Sequence, residues 1–206
     1  MRFRKQKTYR NDIHVREAIY IKRLLKQVSP TSKIQCKSIQ VLTSLIRDIT
    51  IRIVNEAFHL VSLKKKRTLS ARDVQTSVRL NTHGDITKQA ISEGLKMVSR
   101  LSMPSDTEAP PKCSIPHSYF KKKVQQMNYN YRISKYSMVY LSAVVEYLLT
   151  EVLELSSNNA KNSKRSLITP RDIFLSISND YELFTMFGDA IIPGGGVRDS
   201  YATIIM

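Results

Sequence analysis

The apolar positions of this chain fall into two long stripes. From about Cys36 to Leu63, Ile39, Leu42, Ile46, Ile49, Ile53, Ala57 and Leu60 recur three or four residues apart, so they line one face of an α-helix. From about Ser137 to Asn159, Leu141, Val145, Leu148, Val152 and Leu155 do the same. A helix of about 27 residues is roughly 40 Å long, too long to be buried without partners crossing it. A short amphipathic segment precedes each stripe, near Glu17–Val28 and near Ser118–Met127.

A basic loop and a shorter helix follow each stripe. The first continues Lys64-Lys65-Lys66-Arg67-Thr68-Leu69-Ser70-Ala71-Arg72-Asp73 and the second Lys164-Arg165-Ser166-Leu167-Ile168-Thr169-Pro170-Arg171-Asp172. The two Arg-Asp pairs lie 99 residues apart. Ser70 and Thr169 are suited to cap a helix start, and Pro170 stands where a first helical residue tolerates proline. A repeat of this period signals a duplicated domain rather than a solenoid. Between the halves, Ser102–Ile115 contains Pro104, Ser105, Asp106, Glu108, Pro110 and Pro111, the composition of a linker. Its reach is at most about 46 Å. One long helix with two small flanking helices cannot close a core. Two such units clasped head to tail can, so the sequence predicts an all-α intramolecular pair.

Composition narrows the function. With 206 residues and 42% hydrophobic positions the chain can build one large domain or two small ones, which excludes global disorder. Six glycines, none before Gly84, are too few for a β-rich fold. No apolar run reaches the roughly 18 residues of a membrane span, and no hydrophobic signal region opens the chain. Cys36 and Cys113 form neither a disulfide framework nor a zinc spacing, which suits a reducing compartment. His14, His59, His83 and His117 are scattered without metal spacing, and Gly194–Gly196 lacks the Lys-Ser/Thr of a phosphate loop. No catalytic constellation, metal or cofactor is implied. The net charge of +16 points to a polyanion, most simply nucleic acid, with an anionic membrane surface as the alternative. Residues 1–103 hold 22 Lys+Arg against 7 Asp+Glu, a net +15, while residues 104–206 hold 11 against 10, a net +1.

Several segments resemble core histones. Arg23-Leu-Leu-Lys-Gln-Val-Ser-Pro30, Ala71-Arg-Asp-Val-Gln-Thr-Ser-Val-Arg-Leu80 and Gln89-Ala-Ile-Ser-Glu-Gly94 look like histone 2B. Val139-Tyr-Leu-Ser-Ala-Val-Val-Glu-Tyr-Leu148, Glu151-Val-Leu-Glu-Leu155, Pro170-Arg171, Asn179-Asp180 and Gly194-Gly-Gly-Val197 look like histone 2A. The whole resembles the fused histone doublets of giant viruses. It implies a basic tail at 1–16, a 2B-like fold with its C-terminal helix at 17–101, a linker at 102–115, a 2A-like fold at 116–188 and a docking-tail-like segment at 189–206. Because that segment ends at Met206, its contact is expected to be short.

By resemblance, the first loop of each half lies beside the second loop of the other, giving a phosphate-binding patch at each end. Lys33, Cys36 and Lys37 should sit near Lys164, Arg165 and Ser166, and Arg132 and Lys135 near Lys66, Arg67 and Thr68. A third patch is expected where the two first helices meet, with Lys22, Arg23, Lys121 and Lys122. Cations, hydroxyls and helix-start amides hold phosphate without reading bases. Some positions depart from the family: Leu167, Tyr119 and Gln125 stand where histone 2A has arginine, and Lys66, followed by Arg67, stands at the matching 2B position, while Arg132 is retained. Fewer arginines in the minor groove predict looser DNA ends, since their insertion offsets the cost of bending. Glu146, Glu151, Glu154, Asp180 and Glu182, with Asp85 and Glu93, match the acidic patch that docks an arginine from a partner; Tyr181 replaces one usual acid.

The resemblance implies a nucleosome core component, without enzymatic activity, that bends double-stranded DNA together with a histone three–four partner. The expected setting is a chromatin-like particle in a virion, a viral factory or a host nucleus. Solvated loops or nuclear-import signals would explain the basic runs more simply, and an ordinary charged face would explain the acids. A histone-fold transcription regulator reading one promoter element is the alternative function.

Overall fold

A computed structural model describes residues 9–102, 113–127 and 130–197. The elements are α1 (Tyr9–Val28), β1 (Lys33–Ile34), α2 (Cys36–Leu63), β2 (Thr68–Leu69), α3 (Ala71–Asn81), α4 (Gly84–Ser102), α5 (His117–Gln126), β3 (Arg132–Ile133), α6 (Lys135–Asn162), β4 (Leu167–Ile168), α7 (Pro170–Asn179) and α8 (Tyr181–Phe187). From β1 to the start of α3, every element begins again 99 residues later, and both long helices have 28 residues. The duplication read from the Arg-Asp pairs is therefore structural.

The long helices cross. Leu42, Leu45, Ile46 and Ile49 of α2 meet Val145, Leu148, Leu149 and Val152 of α6, with Phe187 of α8 closing the crossing. All of these are buried in one continuous core that both halves share. At each end of the crossing a two-residue strand pairs with a strand of the other half. β1 runs parallel to β4, with Lys33 opposite Leu167, and β2 parallel to β3, with Thr68 opposite Arg132. Among the described residues no strand pairs within its own half. Hydroxyls reinforce the join, as half-buried Ser32 and buried Ser29 of the first half hydrogen-bond buried Ser157 of the second at 2.8 and 3.0 Å.

The shorter helices start as the sequence predicts. The Ser70 amide and hydroxyl donate to Asp73 Oδ2 at 3.1 and 2.6 Å, and those of Thr169 to Asp172 Oδ2 at 2.8 and 2.7 Å. Pro170 is the first residue of α7. One boundary is corrected. α1 begins at Tyr9, not near residue 17, because nothing between Tyr9 and Glu17 breaks a helix. The expected tail of 16 residues is thus half helical, and residues 1–8 lie outside the described residues, as do 103–112 of the linker and 198–206 of the docking-like segment.

Two glycines fix how α4 lies on the second half. Gly84 has φ +74°, and a Cβ there would fall 1.8 Å from Glu182 Oε1. That carboxylate takes the free amides of Asp85 and Ile86 at 2.7 and 2.8 Å, so a residue 97 positions away caps α4. A Cβ on Gly94 would lie 2.6 Å from the ring of Tyr140, which is fully buried.

Both long helices end on a left-handed lysine, Lys65 at φ 50° and Lys164 at φ 55°. Each closes its helix with the hydrogen bonds of a Schellman turn, from Lys66 N to Val61 O at 3.1 Å and from Arg165 N to Ala160 O at 2.9 Å. Glycine normally holds that place. Lys65→Gly and Lys164→Gly should each stabilise the chain by about 1 kcal/mol, whereas Gly94→Ala should cost about 1–3 kcal/mol by overpacking. Urea denaturation of the three variants checks both signs.

Candidate nucleic-acid interface

Two ends of the molecule are assembled by the strand pairs. At one, the amide of Lys33 donates to Ser166 O at 2.7 Å and that of Gln35 to Ile168 O at 3.0 Å. This sets Lys33, Cys36 and Lys37, all exposed, beside the exposed run Lys164, Arg165 and Ser166. At the other, Arg132 N donates to Arg67 O at 2.9 Å and Ser134 N to Leu69 O at 3.1 Å. Here Arg132 and Lys135 meet Lys66, Arg67 and Thr68. The structure thus brings together both groups that the sequence paired.

The start of each long helix lies at one of these ends. Neither first turn carries an acid, and neither N-cap side chain, Gln35 or Ser134, hydrogen-bonds the helix amides. The free N–H groups and the positive end of the helix dipole therefore stand next to lysines. The short helices are built the opposite way, with Asp73 and Asp172 in their first turns. Those aspartates also take some of the cations. Arg165 makes a two-pronged bond to Asp172 at 2.8 and 3.1 Å, and Asp73 draws Lys64 to 3.2 Å and Lys66 to 4.0 Å. Burial pushes both acids up, but the capping hydroxyls, amides and cations outweigh it and hold them below the usual carboxylate range. Leu167 is exposed opposite Lys33.

Lys22, Arg23, Lys121 and Lys122 are exposed on α1 and α5, the third expected patch. Between these helices lies a group the sequence did not reveal. Glu17 is buried and receives Arg47 Nε and Nη2 at 3.2 and 2.6 Å, the hydroxyl of Tyr119, and Lys123 Nζ at 3.9 Å. A glutamate among polar residues at the start of a helix reads as solvated; only the fold, bringing α2 and α5 onto it, shows otherwise.

The acids divide. Glu151 is half-buried, and burial, then Glu154, Asp180 and Glu182, raise its pKa. Burial, then Glu151, Glu182 and Glu93, also act on Tyr147, pushed up to about 12. These five carboxylates converge on one face between α4, α6 and α8. Glu146 lines a cavity with Glu93 and Tyr147 and accepts the amide of buried Ile115 at 3.2 Å. Several members also serve the fold. Asp180 accepts Leu183 N at 2.7 Å, and Asp85 and Glu93 pair with Lys88 and Lys96, both at 2.7 Å. Tyr181 is 79% exposed beside them. Past α8, Arg171 donates to Gly195 O at 2.9 Å, which folds the glycine run back onto α7.

Among the described residues no three His, Cys, Asp or Glu side chains are placed to hold a metal ion, and no helix is long and apolar enough to cross a membrane. Cys36 is exposed; burial pushes the Cys113 thiol up to about 11.

Two clasped helix–strand–helix units with paired basic ends are the architecture of a histone-fold dimer, and comparison with known proteins agrees. The core histone domain, shared by histones of the 2A, 2B, three and four types, matches residues 2–80 and again 106–178. The chain is 58% identical to histone H2B.v1 of Dictyostelium discoideum over 93% of this chain and 94% of that one. The crystal structure of the histone from Methanopyrus kandleri matches with a TM-score of 0.52 at 12% identity, covering 78% of this chain and 91% of that chain. The chain belongs to the core histone family. It carries two histone folds in one polypeptide, and its family makes it a chromatin component whose partners are DNA and other histones.

The crowding at Glu151 predicts a pH signature. Its folded-state pKa is raised, so it favours the fold while protonated and loses that contribution as pH rises through the carboxylate range. Glu151→Gln should therefore melt higher than the unaltered chain at pH 7 and no higher near pH 4. Equal melting shifts at both pH values would contradict the crowding.

Proposed function

We propose that this chain is a nucleosome core component, a fused histone 2B–2A pair that joins a histone three–four partner to bend double-stranded DNA without sequence specificity. The observation that carries the reading is the pair of parallel strand contacts, which set the basic loops of each half against those of the other. Phosphates one strand-width away from paired lysines and bare helix starts would be held by backbone contacts alone. The assigned contacts are Lys33, Cys36, Lys37, Lys164 and Ser166 at one end, Lys66, Arg67, Thr68, Arg132 and Lys135 at the other, and Lys22, Arg23, Lys121 and Lys122 between. Arg165 contributes through its exposed edge, since Asp172 already holds it.

We assign 9–101, from the observed start of α1, to the 2B-like fold, 116–188 to the 2A-like fold and 102–115 to the linker. Residues 189–206 serve as the docking segment toward the three–four partner. The face of Glu93, Glu151, Glu154, Asp180 and Glu182 receives an arginine from a partner protein or a neighbouring basic tail, with Asp85 and Glu146 at its margins. The chain resembles the fused doublets of giant viruses, but a relative that matches nearly end to end belongs to Dictyostelium, which favours nuclear chromatin over a virion or viral factory.

Reconstitution with a histone three–four doublet on random-sequence DNA should give discrete nuclease-protected particles. Their ends should be digested sooner than those of a conventional nucleosome, because Leu167 supplies no arginine to the minor groove and Tyr119 and Gln125 replace two arginines of the first 2A-like helix. Binding confined to one sequence would instead establish a transcription regulator. In the same particles, Glu151→Ala with Glu154→Ala should leave DNA protection intact and abolish compaction of arrays. Unchanged compaction would remove the docking role.

A further inference from the structure

The group around Glu17 lies beneath the third basic patch and holds charge that the DNA reading leaves unused. The Glu17 side chain is 1% exposed; Arg47 from α2 and the hydroxyl of Tyr119 from α5 donate to it, and Lys123 Nζ of α5 lies 3.9 Å away. Arg47 and Lys123 keep 31% and 25% of their side-chain surface exposed, so both border solvent while turned inward. Above them a groove of about 100 Å³ opens between α1 and α5, lined by Arg16, Tyr20, Tyr119, Lys122 and Lys123. Tyr20 and Tyr119 meet edge to face at 6.0 Å and floor it, and Lys123 Nζ lies 5.8 Å from the Tyr119 ring.

A cation-lined groove between two outward basic helix faces is a place for a phosphate backbone, yet one of its lysines, Lys123, lies 3.9 Å from the Glu17 carboxylate. Arg47, Lys123 and Glu17 together present a net +1 where the two cations alone would present +2. We propose that Glu17 is an internal counter-ion that withholds Lys123 from DNA and so weakens the grip at the middle of the basic rim.

The surroundings of Lys123 fit this role. Burial and then Arg47 disfavour its charged form, and Glu17 is the neighbour that favours it. With Glu17 neutralised, the ammonium faces a second cation, and its flexible stem can carry it the short way into the groove, where phosphate is the nearest anion. Tyr119 completes the arrangement. Its hydroxyl, whose proton is held firmly by burial and by Glu17, donates to the carboxylate and fixes it beneath the groove. Arginine at position 119 would place a cation where the hydroxyl stands and would compete with Lys123 for the carboxylate.

This inference rests on DNA binding by the third patch, and the test separates the two. Affinity of the full chain for a short random-sequence duplex is measured across a range of salt, for the unaltered protein, Glu17→Gln, Lys123→Ala and the double variant. Each phosphate neutralised adds about 0.9 to the slope of log affinity against log salt. Glu17→Gln should melt lower, since it leaves Arg47 half-buried without its carboxylate. It should nevertheless bind DNA roughly five- to tenfold tighter near 0.1 M salt, with a slope steeper by about 0.9. Lys123→Ala should leave the slope of the unaltered chain unchanged and cancel the gain in the double variant. A residue of merely structural importance would weaken fold and DNA binding together.

An unchanged slope in folded Glu17→Gln overturns the proposal. If that variant does not fold, a loss of about 0.9 in slope on Lys123→Ala alone overturns it, because the lysine would then already be on phosphate. No salt-dependent binding by the unaltered chain overturns this inference together with the DNA reading beneath it.

Discussion

Everything in this molecule depends on α2 and α6 burying their apolar stripes against each other. Each long helix runs for 28 residues, and its buried stripe belongs to one core built from both halves. Ile46, Ile49, Leu148 and Val152 are among the side chains that leave water only at the crossing, each worth about 2 kcal/mol when fully buried. The pairing of two histone folds is thus a condition for either to exist. Covalent linkage turns that condition into an intramolecular event, at an effective concentration a separate partner would not reach.

The crossing also creates the functional surfaces. Because the units pack head to tail, the loop before one long helix meets the loop after the other, and two-residue strands lock them in register. Lysines from opposite halves come together at two ends only as a consequence. The acids of the second half converge for a related reason: α4 of the first half lies along α6, and Glu182 fixes its start. Charge that is diffuse in sequence, +15 in one half and +1 in the other, becomes a basic rim beside an acidic face.

Local signals are legible in the sequence. The 3–4 spacing marks α2 within the ends observed, and Ser70, Thr169 and Pro170 mark the starts of α3 and α7. The contact of first with second loops follows from the family resemblance. The exceptions are long-range or carry no pattern. Glu17 reaches Tyr119 across 102 positions and Glu182 reaches Asp85 across 97, distances at which no periodicity operates. Lys65 and Lys164 end their helices in a conformation that sequence rules reserve for glycine. Their lysine identity conceals the turn. Thr8, a residue type common at helix starts, directly precedes Tyr9, but a polar stretch and not an apolar stripe follows it, so the onset of α1 is weakly marked.

The central claim is that the two histone folds form one unit within one chain. Equilibrium denaturation followed by helical circular dichroism, over a hundredfold range of protein concentration, tests it directly. An intramolecular pair unfolds in a single transition whose midpoint does not move with concentration. A midpoint that rises with concentration, as for folds exchanged between separate chains, would contradict the account.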